Sequence, residues 1–185
     1  YYALTKNITI EAGDQGVSGN PLKILGSPEG AVLDRSGGSY VFNLLGDYVQ
    51  LGDAANPLRI TGADTGVYVT GHGNSIRGCN VYGCGFQGIK KEVQATNLTV
   101  ENCFIHDNFF WGITSFVAQD TLLISGNVLQ GNGQGGIWAS PIGLNPSTIE
   151  IKNNVVVDNG GCGVYGEFAN EGIVQLKNNT IAGNG

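Results

Sequence analysis

Residues 123–139 read LISGNVLQGNGQGGIWA, and laying this stretch on the rest of the chain decides the fold. The same pattern of chemical classes returns upstream as TVENCFIHDNFFWGITS (99–115) and SIRGCNVYGCGFQGIKK (75–91). Downstream it returns as EIKNNVVVDNGGCGVYG (150–166) and as the partial copy QLKNNTIAGNG (175–185). Aligned on Ile76, Val100, Ile124, Ile151 and Leu176, the copies are offset by 24, 24, 27 and 25 residues. A repeat of this length is the mark of stacked structural units.

Each copy carries three apolar columns. The second runs Val81, Ile105, Leu129, Val156, Ile181, and the third, always after a glycine, runs Ile89, Ile113, Ile137, Val164. Segments of three to five residues with inward residues at alternate positions are strands, and the turns between them are too short to hold crossover helices. Three inward columns per copy describe a triangular coil whose apolar interior is closed only by the copies above and below, so like strands stack in parallel. No six-residue period of a left-handed coil is present. The expectation is an all-β, single-stranded right-handed parallel β-helix, a solenoid of about seven rungs of roughly 24 residues, forming one domain over 1–185. Rungs are regular over 74–185 and irregular over 1–73, where Leu22/Ile24, Val49/Leu51 and Val67 fit inward columns and Pro21, Pro28 and Pro57 mark longer turns.

Between the first two apolar columns lies a polar one: Cys79, Cys103, Asn127, Asn154, Asn179. Strand alternation turns it inward. A buried amide is costly unless bonded, and a stack of Asn at the rung spacing of roughly 4.8 Å lets each bond to the next along the axis. A second ladder is expected from Cys84, Asn108, Asn132, Asn159 and Asn184, and Asn102, Asn153 and Asn178 suit a left-handed bend residue. Cys79 and Cys103 fall on consecutive rungs, as a disulfide or as two stacked free thiols.

The pattern of an apolar-x-apolar strand, a double-Asn bend, an apolar residue, Asn-Gly and then Gly-Ile resembles the repeats of right-handed parallel β-helix proteins. That superfamily includes pectate lyases, polygalacturonases, alginate epimerases, phage tailspikes and surface adhesins. The resemblance implies a scaffold, and function has to come from what decorates it.

The decoration narrows the choice. A net charge of −6 from 9 basic and 15 acidic residues disfavours nucleic acid, and no apolar run reaches membrane-spanning length, so neither nucleic-acid binding nor membrane insertion is expected. The four cysteines lack paired metal-ligand spacing and the two histidines lie far apart, so no metal or other cofactor is expected. Gly71-His72-Gly73 resembles a polygalacturonase segment, but the paired aspartates that work beside it in that family have no counterpart here. Beside the Gly-Ile strand an outward column reads Tyr68, Lys90, Thr114, Trp138, Tyr165, and two positions on comes Glu92, Phe116, Ser140, Glu167. Tyr68, Phe116, Trp138 and Tyr165 form the candidate binding stripe, for sugar rings or for stacking that stiffens the sheet. Lys90, Lys91, Glu92, His106 and Asp107 are the candidates for base or charge-stabilising chemistry, with no visible convergence.

No capping helix follows the last repeat and the chain opens on Tyr1, so the sequence reads as a processed piece or as a subunit whose ends are covered by copies of itself. The leading expectation is therefore an extracellular structural or adhesive solenoid, secreted or at a cell surface, stacking end to end. The alternative is a polysaccharide-binding or polysaccharide-cleaving domain.

Overall fold

In the computed structural model, which describes residues 1–118, 120–141, 147–167 and 172–185, every named strand belongs to one of three parallel sheets. The first sheet stacks Tyr2–Ala3, Ala31–Asp34, Leu58–Thr61, Asn80–Tyr82, Phe104–His106, Val128–Gln130, Val155–Val157 and Thr180–Ala182. The second stacks Ile8–Ile10, Tyr40–Leu44, Thr65–Val69, Ile89–Lys91, Trp111–Val117, Gly135–Pro141 and Cys162–Tyr165. The third stacks Leu22–Ile24, Val49–Leu51, Ser75–Arg77, Leu98–Glu101, Thr121–Ser125, Thr148–Lys152 and Ile173–Lys177. The chain visits the three in rotation, one strand per rung, which makes a right-handed parallel β-helix. The seven or eight strands per sheet among the described residues lie close to the seven rungs expected. The irregular amino-terminal third coils like the rest, with Leu22 opposite Val49 and Ile24 opposite Leu51.

The apolar columns meet in register along the axis. Val81 pairs with Ile105, Ile105 with Leu129, Leu129 with Val156, and Val156 with Ile181. Ile60, Val81, Ile105, Leu129 and Val156 are fully buried, as are Ile76, Val100, Ile124 and Ile151 on the third sheet. Such a core is a line of contacts between neighbours, not a single hydrophobic centre.

From residue 75 onward two bends per rung obey one rule. Between the third and first sheets the residues with positive φ are Gly78, Asn102, Gly126, Asn153 and Asn178; after the first sheet they are Gly83, Asp107, Gly131, Asp158 and Gly183. Left-handed backbone is tolerated by Gly and, at some cost, by Asn and Asp. Directly after each comes an inward ladder residue. Asn127 Oδ1 accepts from Cys103 N at 2.9 Å, while Asn127 Nδ2 donates to Asn154 Oδ1 at 3.0 Å and to Val100 O at 2.9 Å. Asn154 repeats the arrangement onto Asn179. In the second ladder Asn108, Asn132, Asn159 and Asn184 are joined by Nδ2-to-Oδ1 bonds of 2.9, 2.9 and 2.8 Å. Cys79, Cys84 and Cys103 occupy ladder positions as buried free thiols, and Cys79 and Cys103 each donate to backbone carbonyls instead of bonding each other.

The glycine before each third-column residue has its reason in the same ladder. A Cβ on Gly112 would lie 3.0 Å from Asn132 Nδ2 and 2.8 Å from Gly136 O, and one on Gly88 would lie 2.9 Å from Asn108 Nδ2. Glycine there leaves room for the amide of the next rung.

Replacing Asn132 by Ala leaves one N–H of the Asn108 side-chain amide, the Asn108 backbone N–H and the Ile105 carbonyl without their Asn132 partner in the interior. At about 1–3 kcal/mol per orphaned group, urea unfolding of N132A is expected to show a loss of about 3 kcal/mol or more. Asn178 is exposed and serves only its bend, so N178A is expected to lose about 1 kcal/mol.

Candidate functional site

The register that stacks the core also aligns the outside. On the second sheet Tyr68 pairs with Lys90, Lys90 with Thr114, Thr114 with Trp138, and Trp138 with Tyr165, one residue per rung. Phe116 pairs with Ser140 two positions further along. Around Trp138 the rings close into a cluster: Phe116 at 5.5 Å and Tyr165 at 5.9 Å present edges to it, and Trp111 lies tilted at 5.7 Å. Trp111 also reaches Tyr165, at 6.2 Å. The Trp138 indole N–H donates to Ser140 Oγ at 2.9 Å, and the same oxygen accepts the Glu167 backbone N–H at 3.0 Å. The indole is thus turned by its own sheet, with its polar edge already satisfied.

Trp111 belongs to this site although the sequence columns do not include it. It stands two residues before Ile113, where strict alternation would turn it inward, but Gly112 is the residue packed against the ladder and Trp111 swings to the outer face. Its ring lies over Gly135 of the next rung, where a Cβ would come within 2.3 Å of it. The readable signal was the large-over-glycine pair in register, Trp111 on Gly135.

At the other end of the stripe Tyr40 stacks on Tyr68 at 4.5 Å, and Lys90 Nζ stands 5.6 Å from the Tyr68 ring centre. Lys90 is bound to Glu92 at 2.7 Å. Burial, then the charge and hydrogen bond of Glu92, push the Tyr68 phenol up to about 12. Tyr165 donates to Glu167 Oε1 at 3.0 Å, which raises its phenol as well.

The candidate chemical groups are not brought together. His106 lies on the first sheet, a different face from Lys90 and Glu92. Its Nδ1 is 2.7 Å from Asp107 Oδ2 and its Nε2 3.0 Å from Asn80 Oδ1, and its ring packs on Tyr82 and Phe104. Both nitrogens are occupied. Asp107 itself is a bend residue at φ 52°, in the column of Gly83, Gly131 and Asp158, so its place is explained by backbone geometry. The excursion from Ser140 to Ser147 includes 142–146, which lie outside the described residues. Among the described residues no cluster of three or more His, Cys, Asp or Glu side chains has metal-binding geometry.

Lys91, a candidate for charge-stabilising chemistry, does not share the outer face with Lys90. Alternation from Lys90 turns it into the coil, where it meets Asp120 at 2.9 Å with both side chains fully buried. Its ammonium also donates to Phe116 O at 3.1 Å, while Asp120 Oδ1 accepts the Asn97 and Thr121 backbone N–H groups. Burial pushes the Lys91 ammonium below its ordinary range, and Asp120 opposes that shift. The pair ties the corner at 120 to the second sheet beneath the stripe.

The fold and the stripe together define a right-handed parallel β-helix with an aromatic outer face. The family described as right handed beta helix region matches residues 55–185, and the chain belongs to that family. No curated protein matches the sequence. Among solved structures, pectate lyase Pel9A superposes with a TM-score of 0.67 at 19% identity, over 86% of this chain and 42% of that one. The A-module of the Azotobacter vinelandii mannuronan C-5 epimerase AlgE6 matches with a TM-score of 0.40 at 15% identity, over 82% of this chain and 48% of that one. The likeness is one of fold, and the chain spans about two fifths of the length of Pel9A.

Removing one member of the buried pair leaves an uncompensated charge, so D120N is expected to lose about 3–5 kcal/mol in thermal or chemical unfolding. The double variant K91M/D120N, which removes both charges and keeps an oxygen for the Asn97 and Thr121 N–H groups, is expected to recover part of that loss.

Proposed function

We propose that this chain is a secreted carbohydrate-binding β-helix domain that holds a polysaccharide on the outer face of its second sheet. The observation that carries the reading is the cluster of Phe116, Trp138 and Tyr165 on the outer side of the second sheet, Tyr165 exposed and the other two half-buried, with Trp111 buried beneath them and ring centres 5.5–6.2 Å apart. Aromatic faces stack on the apolar faces of pyranose rings, and hydroxyl-bearing neighbours fix orientation. The cluster spans consecutive rungs, so a bound chain lies along the solenoid axis, with successive sugars meeting successive rungs. A fold shared with a pectate lyase supports a polysaccharide as the class of ligand. The role assigned here is binding: Lys90 is paired with Glu92 beside the stripe, Glu167 accepts the Tyr165 hydroxyl, and His106 is on another face.

A second reading, a structural or adhesive solenoid that stacks end to end, is favoured by Leu176 and Ile181, which continue the inward columns of Ile151 and Val156 yet are exposed; in that reading another copy would cover them.

Both tryptophans of the chain lie in the stripe, so their emission reports on it. Titration with a panel of soluble polysaccharides is expected to shift that emission and to retard the protein in affinity electrophoresis. W138A, with its fold checked by circular dichroism, is expected to weaken binding roughly tenfold, about 1.4 kcal/mol. A panel that changes neither emission nor mobility overturns the carbohydrate reading.

A further inference from the structure

We propose that the polysaccharide held by the aromatic stripe is uncharged, not a uronic-acid polymer. This rests on the carbohydrate reading above and adds the substrate class.

A polyuronate carries a carboxylate on every sugar, and holding it against a surface requires a cation at each or nearly each rung. The second sheet does not supply them. Across its seven strands the basic side chains are Lys90 and Lys91. Lys91 points into the coil and is bound to Asp120. Lys90 is bound to Glu92 at 2.7 Å, so a ligand carboxylate would have to displace a carboxylate that the protein already holds there. Of the other cations, Arg77 is bound to Glu101 and Lys152 and Lys177 to Glu150, all on the third sheet, while Lys6, Lys23, Arg35 and Arg59 belong to the first three rungs, apart from the rungs that carry the ring cluster.

The charges that border the ring cluster are of the wrong sign for a polyanion. Glu92 lies two positions after Lys90, and Glu167, exposed, lies two positions after Tyr165. With the buried pair cancelling, the stripe carries one cation against two carboxylates, and the net charge of the chain is −6. A polyanion approaching this face meets repulsion that salt screens.

The groups that remain between the rings are neutral. Gln87 accepts from Thr65 in the rows beside the column, and Thr114 and Ser140 lie between the rings. Both hydroxyls lie beneath the rings, Thr114 buried and Ser140 buried with its oxygen shared by the Trp138 indole and the Glu167 backbone N–H, so what the face offers a ligand is ring surface edged by the Gln87 amide. Ring surface without a free cation matches an uncharged glycan, whose sugars offer an apolar face.

The experiment compares soluble uncharged polymers, galactomannan and xyloglucan, with polygalacturonate and alginate by tryptophan emission and affinity electrophoresis. Each is run at low and high salt, with calcium and with chelator. The expected result is that an uncharged polymer binds, insensitively to salt, at least roughly tenfold more tightly than either polyuronate. E92Q/E167Q is expected to narrow that ratio by raising polyuronate affinity. Equal or tighter binding of a polyuronate, with or without calcium, overturns the assignment of an uncharged ligand while the carbohydrate reading stands. Failure of both polymer classes overturns the carbohydrate reading itself.

Discussion

An amide turned into an apolar coil must be bonded, and in this solenoid its partners lie on the neighbouring rungs. That constraint fixes the axial register. Each ladder Asn joins the next amide and a backbone group of the adjoining rung, so slipping one rung against another would strand buried donors and acceptors along the whole stack. The left-handed residue before each ladder position turns the side chain inward, and the glycine of the Gly-Ile step makes room for it. Bend chemistry, ladder and third column are one device. Its outer consequence is that side chains at equivalent positions are held in line, which turns separate aromatic residues into a continuous stripe.

Much of the scaffold was legible because stacking imposes a single chemistry on each column. Ile105, Leu129 and Val156 face the same environment, so they stay apolar at the same offset, and inward Asn can be solved only by another Asn or a small residue nearby. The left-handed role of Asn102, Asn153 and Asn178 was readable for the same reason. Asp107 was not, because beside His106 it invites a chemical reading. Its equivalence to Gly83, Gly131 and Asp158 emerges only when the backbone angle is seen. Lys91 was obscured by its neighbour, since a Lys-Lys pair looks like surface and the carboxylate that permits its burial, Asp120, is 29 residues away in the chain and belongs to the next rung.

The candidate site divides along the same line. Tyr68, Lys90, Trp138 and Tyr165 share a column and are found by counting. Trp111 escapes counting because the Gly-Ile step inserts two consecutive inward positions and so reverses the alternation before it. Asn74, buried and bonded to Val49 N and Gly46 O, is a further ladder-like amide at a third bend. Its rungs are the irregular ones, where no column repeats often enough to announce it. The interior therefore decides the outside twice, once by alignment and once by the paired inward positions that turn a second indole, itself buried, under the stripe.

Two aromatic groups face solvent on different sheets: the Trp138 cluster on the second, and Tyr82, Phe104 and His106 on the first. Nuclear magnetic resonance of the labelled protein during titration with an uncharged oligosaccharide tells them apart. The indole N–H of Trp138 and the rings of Tyr165 and Phe116 are expected to shift with saturation, while the His106 ring stays still. Shifts confined to His106, Tyr82 and Phe104, with the Trp138 signals unmoved, would contradict the placement of the ligand on the second sheet.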